Sequence, residues 1–498
     1  MTTLRVLLHV AAQRDYKLHS LDSSTAFLQG SLHEEIWLRR PPGFTGSFPP
    51  GTQWSLRRPV YGLRQAPREW HDTLRTTLAA LGFAPSTADP SLFLRTDNLL
   101  PPFYILVYVD DLVFATGDTA GLAHVKSELQ KRHTCTDLGE LRSYLGLQIT
   151  RDKAQRTITL NQSHMVQQVL QRFDFTYSSP QATPLSTCHS LSALPSDESV
   201  EPLARTQSLL VASCLGLALG GRSPVVLTGH TDAYWVDDLA TQRSSEGYTF
   251  SLGSGSVSWR STRSSSVLSS SCEAEIYARA MAAQELRWLT YLLTDLGEPP
   301  HSPPVLYVDN KAMLALCREH RLEHRTKHIA LRYFLARELQ QRGQLRLAYV
   351  ASQANTADIF TKALQPCDHQ CFCTLLGQVW RRRDYERRGG SGRQLKLLAH
   401  SATGATGIRA TGATGTLATG ATGKRATGVT GSAARRAVGA TDSRATGAMG
   451  SRATGATGSR ATGATVSWAT GAAGFTEATP LQHPPLSQNS RSHPLQHP

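Results

Sequence analysis

The chain has 498 residues, of which 40% are hydrophobic, enough for two or three domains with several cores. No run of ~18 or more apolar residues occurs, which argues against a membrane-spanning helix, and eight scattered cysteines suit a reducing compartment better than a disulfide framework. Residues 381–498 hold 16 Lys and Arg against 4 Asp and Glu, a net of +12, so the first 380 residues carry only +2 of the total +14. Any nucleic-acid path across those 380 residues must therefore be a local stripe rather than a whole-domain field.

Met1 to Lys17 reads as an amphipathic helix, with Leu4, Leu7, Leu8, Val10 and Ala11 at near-helical spacing. It lacks a small-residue cleavage site, so a secretory signal is not expected. Leu18 to Phe27 reads as a strand running into a turn, with Asp22 at its end. Taken alone, Asp22 is an ordinary turn residue and Phe27 an ordinary core residue. Ile36-Trp-Leu38 forms a further short strand, and Pro41-Pro-Gly-Phe44 a rigid loop. Arg57 to Trp70 combines four arginines, Gln65 and two aromatics in a loop entering a helix. Such a loop sets planar donors against phosphates and bases, or else is a solvated basic face.

Tyr104-Ile-Leu-Val-Tyr-Val-Asp-Asp-Leu-Val-Phe114 places two adjacent carboxylates, Asp110 and Asp111, inside an apolar run of strand composition. At a hairpin bend both escape strict alternation and face one cleft. Their repulsion then calls for a cation, most simply Mg²⁺; the alternative is a plain turn. Leu141 to Ile149 reads as an amphipathic strand pair, and Ile158 to Leu170 changes from strand alternation to helical spacing. Residues 178–206, rich in Ser, Pro and Thr, read as a linker.

A second chemical centre begins at Thr228-Gly-His-Thr-Asp-Ala-Tyr-Trp235, followed by alternating strands at Tyr248 and Val257. A helix from Cys272 carries Glu273 and Glu275, Val305-Leu-Tyr-Val-Asp-Asn310 is a strand ending in Asp309, and Asp358 follows in Ala354 to Lys362. Carboxylates at element ends in β-β-β-α-β-α order suit a two-metal nuclease. Cys367, His369, Cys371 and Cys373 are spaced like no established zinc pattern. From Ala402 an eight-residue Ala-Thr-Gly repeat offers little to bury, so residues 366–498 are expected to be a disordered low-complexity tail. Weak, salt-sensitive nucleic-acid binding through its arginines is compatible with that composition.

Four stretches occur in an order that resembles copia-type retrotransposon reverse transcriptases. They are Leu21-Asp-Ser-Ser-Thr-Ala-Phe-Leu-Gln-Gly30, Arg40-Pro-Pro-Gly-Phe44, Tyr61-Gly-Leu-Arg-Gln-Ala-Pro67 and Tyr108-Val-Asp-Asp111. The resemblance implies a right-hand polymerase palm with Asp22, Asp110 and Asp111 as Mg²⁺ ligands, Mn²⁺ being an alternative. It further implies Phe27 as the gate against a ribose 2′-hydroxyl, and Gln65 and Tyr108 at the incoming deoxynucleotide. Leu141 to Ile149 resembles the primer grip and Ile158 to Leu170 the thumb. Residues 225–365, including Arg325-Thr-Lys-His-Ile329 and Ala357-Asp-Ile-Phe-Thr-Lys-Ala-Leu364, resemble the ribonuclease H of the same Pol polyprotein. That match assigns Asp232, Glu275, Asp309 and Asp358 to metals. Glu275 is preferred because Ile276 and Ala278 follow it as in the family, while Glu273 is left to cap the helix. His328 is expected to contact substrate backbone or solvent rather than act as acid or base. The loop before Asp358 lacks the histidine that many ribonucleases H place there.

The expected architecture is thus α+β and α/β: palm and thumb over 1–177, a shortened connection over 178–224, a ribonuclease H-like mixed sheet over 225–365, and the tail. The family's fingers are expected to be largely missing, so the sequence reads as a truncated or decayed copy, or a fragmentary gene model. Implied partners are an RNA template, a DNA primer, RNA–DNA hybrid and deoxynucleotides, with no membrane, in the cytoplasm (in a virus-like particle) or the nucleus. Two readings stand beside an active polymerase-nuclease: an inactive relic, and a non-catalytic nucleic-acid-binding protein.

Overall fold

The computed structural model describes residues 1–39, 53–95, 101–174, 183–184, 215–238, 241–311, 314 and 330–380. The Pro41–Phe44 loop, most of the 178–206 linker, His328 with its motif, and the repeats from Ala402 lie outside the described residues.

The first sheet is built around the hairpin that carries Asp110. Its strands are β1 (Lys17–Ser23), β4 (Ala84–Pro85), β5 (Leu92–Arg95), β6 (Phe103–Tyr108), β7 (Asp111–Thr116) and β8 (Cys135–Glu140). A separate two-stranded ribbon pairs β2 (Trp37–Leu38) with β3 (Trp54–Ser55). The six strands run in the order β4-β5-β6-β7-β1-β8, every pairing antiparallel. Period-2 alternation divides β6 between two cores: Phe103, Ile105 and Val107 face one, Tyr104 and Leu106 the other. Both faces are covered, which is why the run reads as continuously apolar rather than alternating. On one face lie α2 (Ala66–Ala80) and α3 (Thr119–Arg132), which contribute Trp70, Leu74, Leu122 and Leu129.

Helix α1 (Thr2–Gln13) lies on the other face and departs from the amphipathic expectation. It is buried from Thr3 to Ala12, Arg5 and His9 included. Arg5 Nε donates to the Val257 carbonyl at 2.6 Å, and its guanidinium stacks 4.0 Å from the Trp259 ring centroid. His9 Nδ1 accepts from the Gly220 N–H at 3.1 Å. Arg5 Nε and His9 Nδ1 are thus partnered inside the molecule, while His9 Nε2 is buried without a hydrogen-bond partner, and the helical pattern of apolar residues reveals neither.

The second sheet joins β9 (Ser143–Tyr144), β10 (Leu147–Asp152), β11 (Thr157–Asn161), β12 (Leu215–Gly220) and β18 (Gln378–Trp380) in the order β18-β12-β11-β10-β9. The expected change from strand to helix is present: β11 ends at Asn161 and α4 (Ser163–Arg172) begins two residues on. The third sheet comprises β13 (Leu227–Asp238), β14 (Arg243–Leu252), β15 (Ser256–Arg263), β16 (Val305–Val308) and β17 (Arg346–Tyr349), ordered β15-β14-β13-β16-β17. Its first three strands are antiparallel, while β13–β16 and β16–β17 are parallel. Helices α5 (Ser271–Asp295) and α6 (Ala330–Gln341) complete the β-β-β-α-β-α order.

Two expected boundaries shift. The stretch assigned to a connection contains β12, and the stretch assigned to the tail from residue 366 contains α7 (Pro366–Leu375) and β18. Phe372, Cys373 and Leu376 are buried there, and β18 pairs with β12 from Leu215↔Trp380 to Leu217↔Gln378. A three-residue strand has too few residues for any periodicity, and its partner lies some 160 positions upstream. Polar contacts also tie the first sheet and its loops to α5, which packs on the third sheet. Tyr104 Oη donates to the Leu296 carbonyl at 2.8 Å, Trp288 Nε1 to the Ala88 carbonyl at 2.8 Å, and Ser86 Oγ to Asp295 at 2.5 Å.

Candidate functional site

The described residues hold two acidic centres. In the first, Asp22 on β1 lies directly opposite Asp111 on β7, and Tyr108 on β6 opposite the same Asp111. Val109 and Asp110 form the connecting turn, so the hairpin bend expected from sequence is the geometry found. Val109 has φ of +57°, a costly conformation for a β-branched residue. Two hydrogen bonds pin this turn: the buried Trp70 indole donates to the Val109 carbonyl at 2.5 Å, and Ser23 N to the Asp110 carbonyl at 2.8 Å. Burial, then Asp110 and Asp22, hold the Asp111 carboxyl above its ordinary range. Asp22, Asp110 and Asp111 do not, however, close to the spacing of the second centre.

Phe27 sits in a 3-10 turn, Ala26–Gln29, largely buried, with its ring centroid 4.4 Å from that of Tyr61. Tyr61 is exposed, and its hydroxyl is pushed up by partial desolvation and by Asp110 and Asp22. Gln65 precedes α2 and its amide donates to Glu34 at 3.3 Å. Tyr61 is thus near enough to Asp110 and Asp22 to feel their charge, with Phe27 packed against its ring.

In the second centre, Asp232 occupies the middle of β13, Asp309 follows the last residue of β16, and Asp358 lies in a 3-10 turn, Thr356–Phe360. These three offer ligand oxygens that all lie within 4.8 Å of one another. Glu275 enters from the first turns of α5. Glu273 behaves as expected of a cap: its N–H is held by Ser270 Oγ, and its carboxylate accepts from Ser269 N at 2.7 Å. This leaves Glu275 as the inward carboxylate, as the resemblance implies.

The electrostatics show a site short of positive charge. Burial, then Asp232 and Asp309, push the Glu275 carboxyl up to about 9. Burial and Asp232 push Asp358 up to about 7, and burial raises Asp232 as well. Glu275 Oε2 and Asp358 Oδ1 are buried without a hydrogen-bond partner, a costly arrangement for a carboxylate. Hard oxygen donors, a net negative site and orphaned carboxylate oxygens together suit Mg²⁺ or Mn²⁺.

Sequence reading missed several residues of this centre. Lys362 Nζ lies 3.1 Å from both Asp232 Oδ1 and Asp358 Oδ2. Thr361 Oγ1 donates to the other oxygen of Asp232, and Ser352 Oγ donates to Asp309 at 3.0 Å. Asn355 ties the Asp358 turn to β13 through the Thr231 carbonyl at 3.2 Å. Gly247, opposite Asp232 in the ladder, has no room for a side chain: a Cβ there would stand 2.9 Å from Thr361 and 3.0 Å from Phe360. A glycine inside a strand was the one available signal that another segment approaches there. Cys367, His369, Cys371 and Cys373, whose spacing fits no zinc pattern, lie on one helix, α7, with Cys367 and Cys371 exposed and His369 and Cys373 buried.

This geometry defines a mixed α/β protein with two carboxylate centres, the first at a hairpin bend and the second gathered from a strand interior, a strand end, a helix and a turn. Residues 1–187 match the family described as reverse transcriptase (RNA-dependent DNA polymerase). The chain is a homologue of the Pol polyproteins of plant copia-type transposons. The Retrovirus-related Pol polyprotein from transposon RE2 of Arabidopsis thaliana is 32% identical over 422 residues, 76% of this chain and 29% of its own length. That from transposon TNT 1-94 of Nicotiana tabacum is 28% identical over 413 residues, 73% of this chain and 31% of its own length. The chain thus spans less than a third of these relatives. Among solved structures, the N-terminal RNase H domain of a Mycobacterium tuberculosis protein, fused to maltose-binding protein, is 13% identical, with 28% of this chain and 91% of that one covered, at a TM-score of 0.21. No helix among the described residues is long and apolar enough to cross a membrane.

Proposed function

We propose that this chain is an RNA-directed DNA polymerase joined to a nuclease that cuts the RNA strand of RNA–DNA hybrids. Asp22, Asp110 and Asp111 hold divalent metal at the polymerase centre, Phe27 excludes the ribose 2′-hydroxyl, and Gln65 and Tyr108 meet the incoming deoxynucleotide. Asp232, Glu275, Asp309 and Asp358 hold Mg²⁺ or Mn²⁺ at the nuclease centre. There the metal, when bound, supplies Lewis-acid charge at the scissile phosphate and an activated water. The chain's own part is to keep four carboxylates converged in a largely buried pocket, with Thr361 and Ser352 fixing two of them.

The observation that carries this reading is the second centre: three carboxylates within 4.8 Å, beside a Glu275 oxygen without a partner. The test is cleavage of a labelled RNA–DNA hybrid by the full chain with Mg²⁺ or Mn²⁺. Cleavage that vanishes in Asp309→Asn is expected. A folded wild-type chain that cuts no hybrid with either metal would overturn the reading and leave an inactive relic.

A further inference from the structure

The nuclease centre already contains a cation of its own. Lys362 follows the Asp358 turn, and its backbone N–H donates to the Asp358 carbonyl at 2.9 Å. That hydrogen bond returns the side chain over the carboxylates, where Nζ makes two equal contacts of 3.1 Å, one to Asp232 and one to Asp358. Asp232 is 1% exposed, and Thr361 occupies its second oxygen. Both oxygens of this central carboxylate are therefore engaged by the protein itself. A divalent ion seated among Asp232, Asp309 and Asp358 must take an oxygen that Lys362 holds, or share it with a like charge.

We propose that Lys362 is a built-in counter-cation that keeps Asp232 and Asp358 together in the metal-free protein and that competes with divalent metal for them. The proposal rests on the two-metal reading of this centre and adds what sets its affinity. Four carboxyl groups facing one ammonium still offer a divalent ion more oxygen donors than Lys362 can occupy, so the site draws the ion. Lys362 offsets part of that attraction, so affinity is lower than the four carboxylates alone would give. A flexible four-carbon stem lets the ammonium withdraw without moving the backbone. Gly247 enables the arrangement by letting the 356–362 segment lie directly on β14.

The test is Mn²⁺ binding to the full chain without nucleic acid, read by electron paramagnetic resonance, with Asp110→Asn present throughout to silence the first centre. Lys362→Met is expected to bind Mn²⁺ about tenfold more tightly, a coupling of the usual size between linked ligands. Its metal-free melting temperature is expected to fall, because the carboxylates lose their counter-charge. Lys362→Gln, which keeps a donor without the charge, should move the same way, and Lys362→Arg should stay near wild type. Damage to the fold lowers metal affinity, so a gain is a signature that lost structure does not produce. Unchanged or weaker binding in both neutral variants, with wild-type binding still dependent on Asp309, would overturn the role of Lys362 alone. Absence of Asp309-dependent binding in wild type would overturn the two-metal reading itself, and this proposal with it.

Discussion

His9 is fully buried in α1, and burial pushes its imidazole down to about 4 from an ordinary 6.5. In the unfolded chain it takes a proton near pH 6.5, so the unfolded state binds more protons between that pH and about 4. Stability is therefore whole above pH 6.5 and is lost as pH falls through this window, by about 3 kcal/mol for the full shift. His9→Gln keeps an acceptor for the Gly220 N–H and does not titrate, so its melting temperature should fall less steeply between pH 6.5 and 4. An unchanged slope would assign the loss elsewhere, with His369, also pushed down to about 4, the next residue to test. Much at this scale was legible: the bend at Asp110, the separation of Glu273 from Glu275, and the strand positions of Asp22 and Asp232. Arg5, His9 and Lys362 were not. A single charged residue has no period, and its partners Val257, Gly220 and Asp232 lie more than a hundred positions away.

Helix and strand identity followed from local patterns where one face meets solvent, as in α4 with Val166 and Leu170 inward. Where an element is enclosed, as α1 is, the apolar stripe understates burial and the helix looks like a surface element. The elements beyond residue 366 were hidden for a different reason, being short and paired at long range. Gly377, in the turn between α7 and β18, has φ of +79°, and a Cβ there would stand 2.5 Å from Gly255 Cα and 2.8 Å from the Ser254 carbonyl. Gly377→Ala should therefore destabilise by about 1–3 kcal/mol for the backbone strain alone, with the collision adding to it. Thermal unfolding of the full chain measures this. A melting temperature equal to wild type would return residues 366–380 to the tail.

At the scale of the whole molecule, α1 packs against strands of all three sheets. Arg5 reaches β15, Arg14 pairs with Glu298, and β18 comes from beyond Asp358 to close a sheet begun at β9. Buried contacts between the halves make them one folded unit with two separate carboxylate centres. Loss of a metal ligand removes chemistry without removing the positioning contacts of the other site. The most direct measurement runs both reactions on one preparation of full chain: primer extension on an RNA template, and cleavage of the RNA strand in the resulting hybrid. With Mg²⁺ or Mn²⁺, Asp110→Asn should abolish extension and spare cleavage of a preformed hybrid, while Asp309→Asn should abolish cleavage and spare extension. Either variant removing both activities, or neither, would contradict two independent metal centres on this chain.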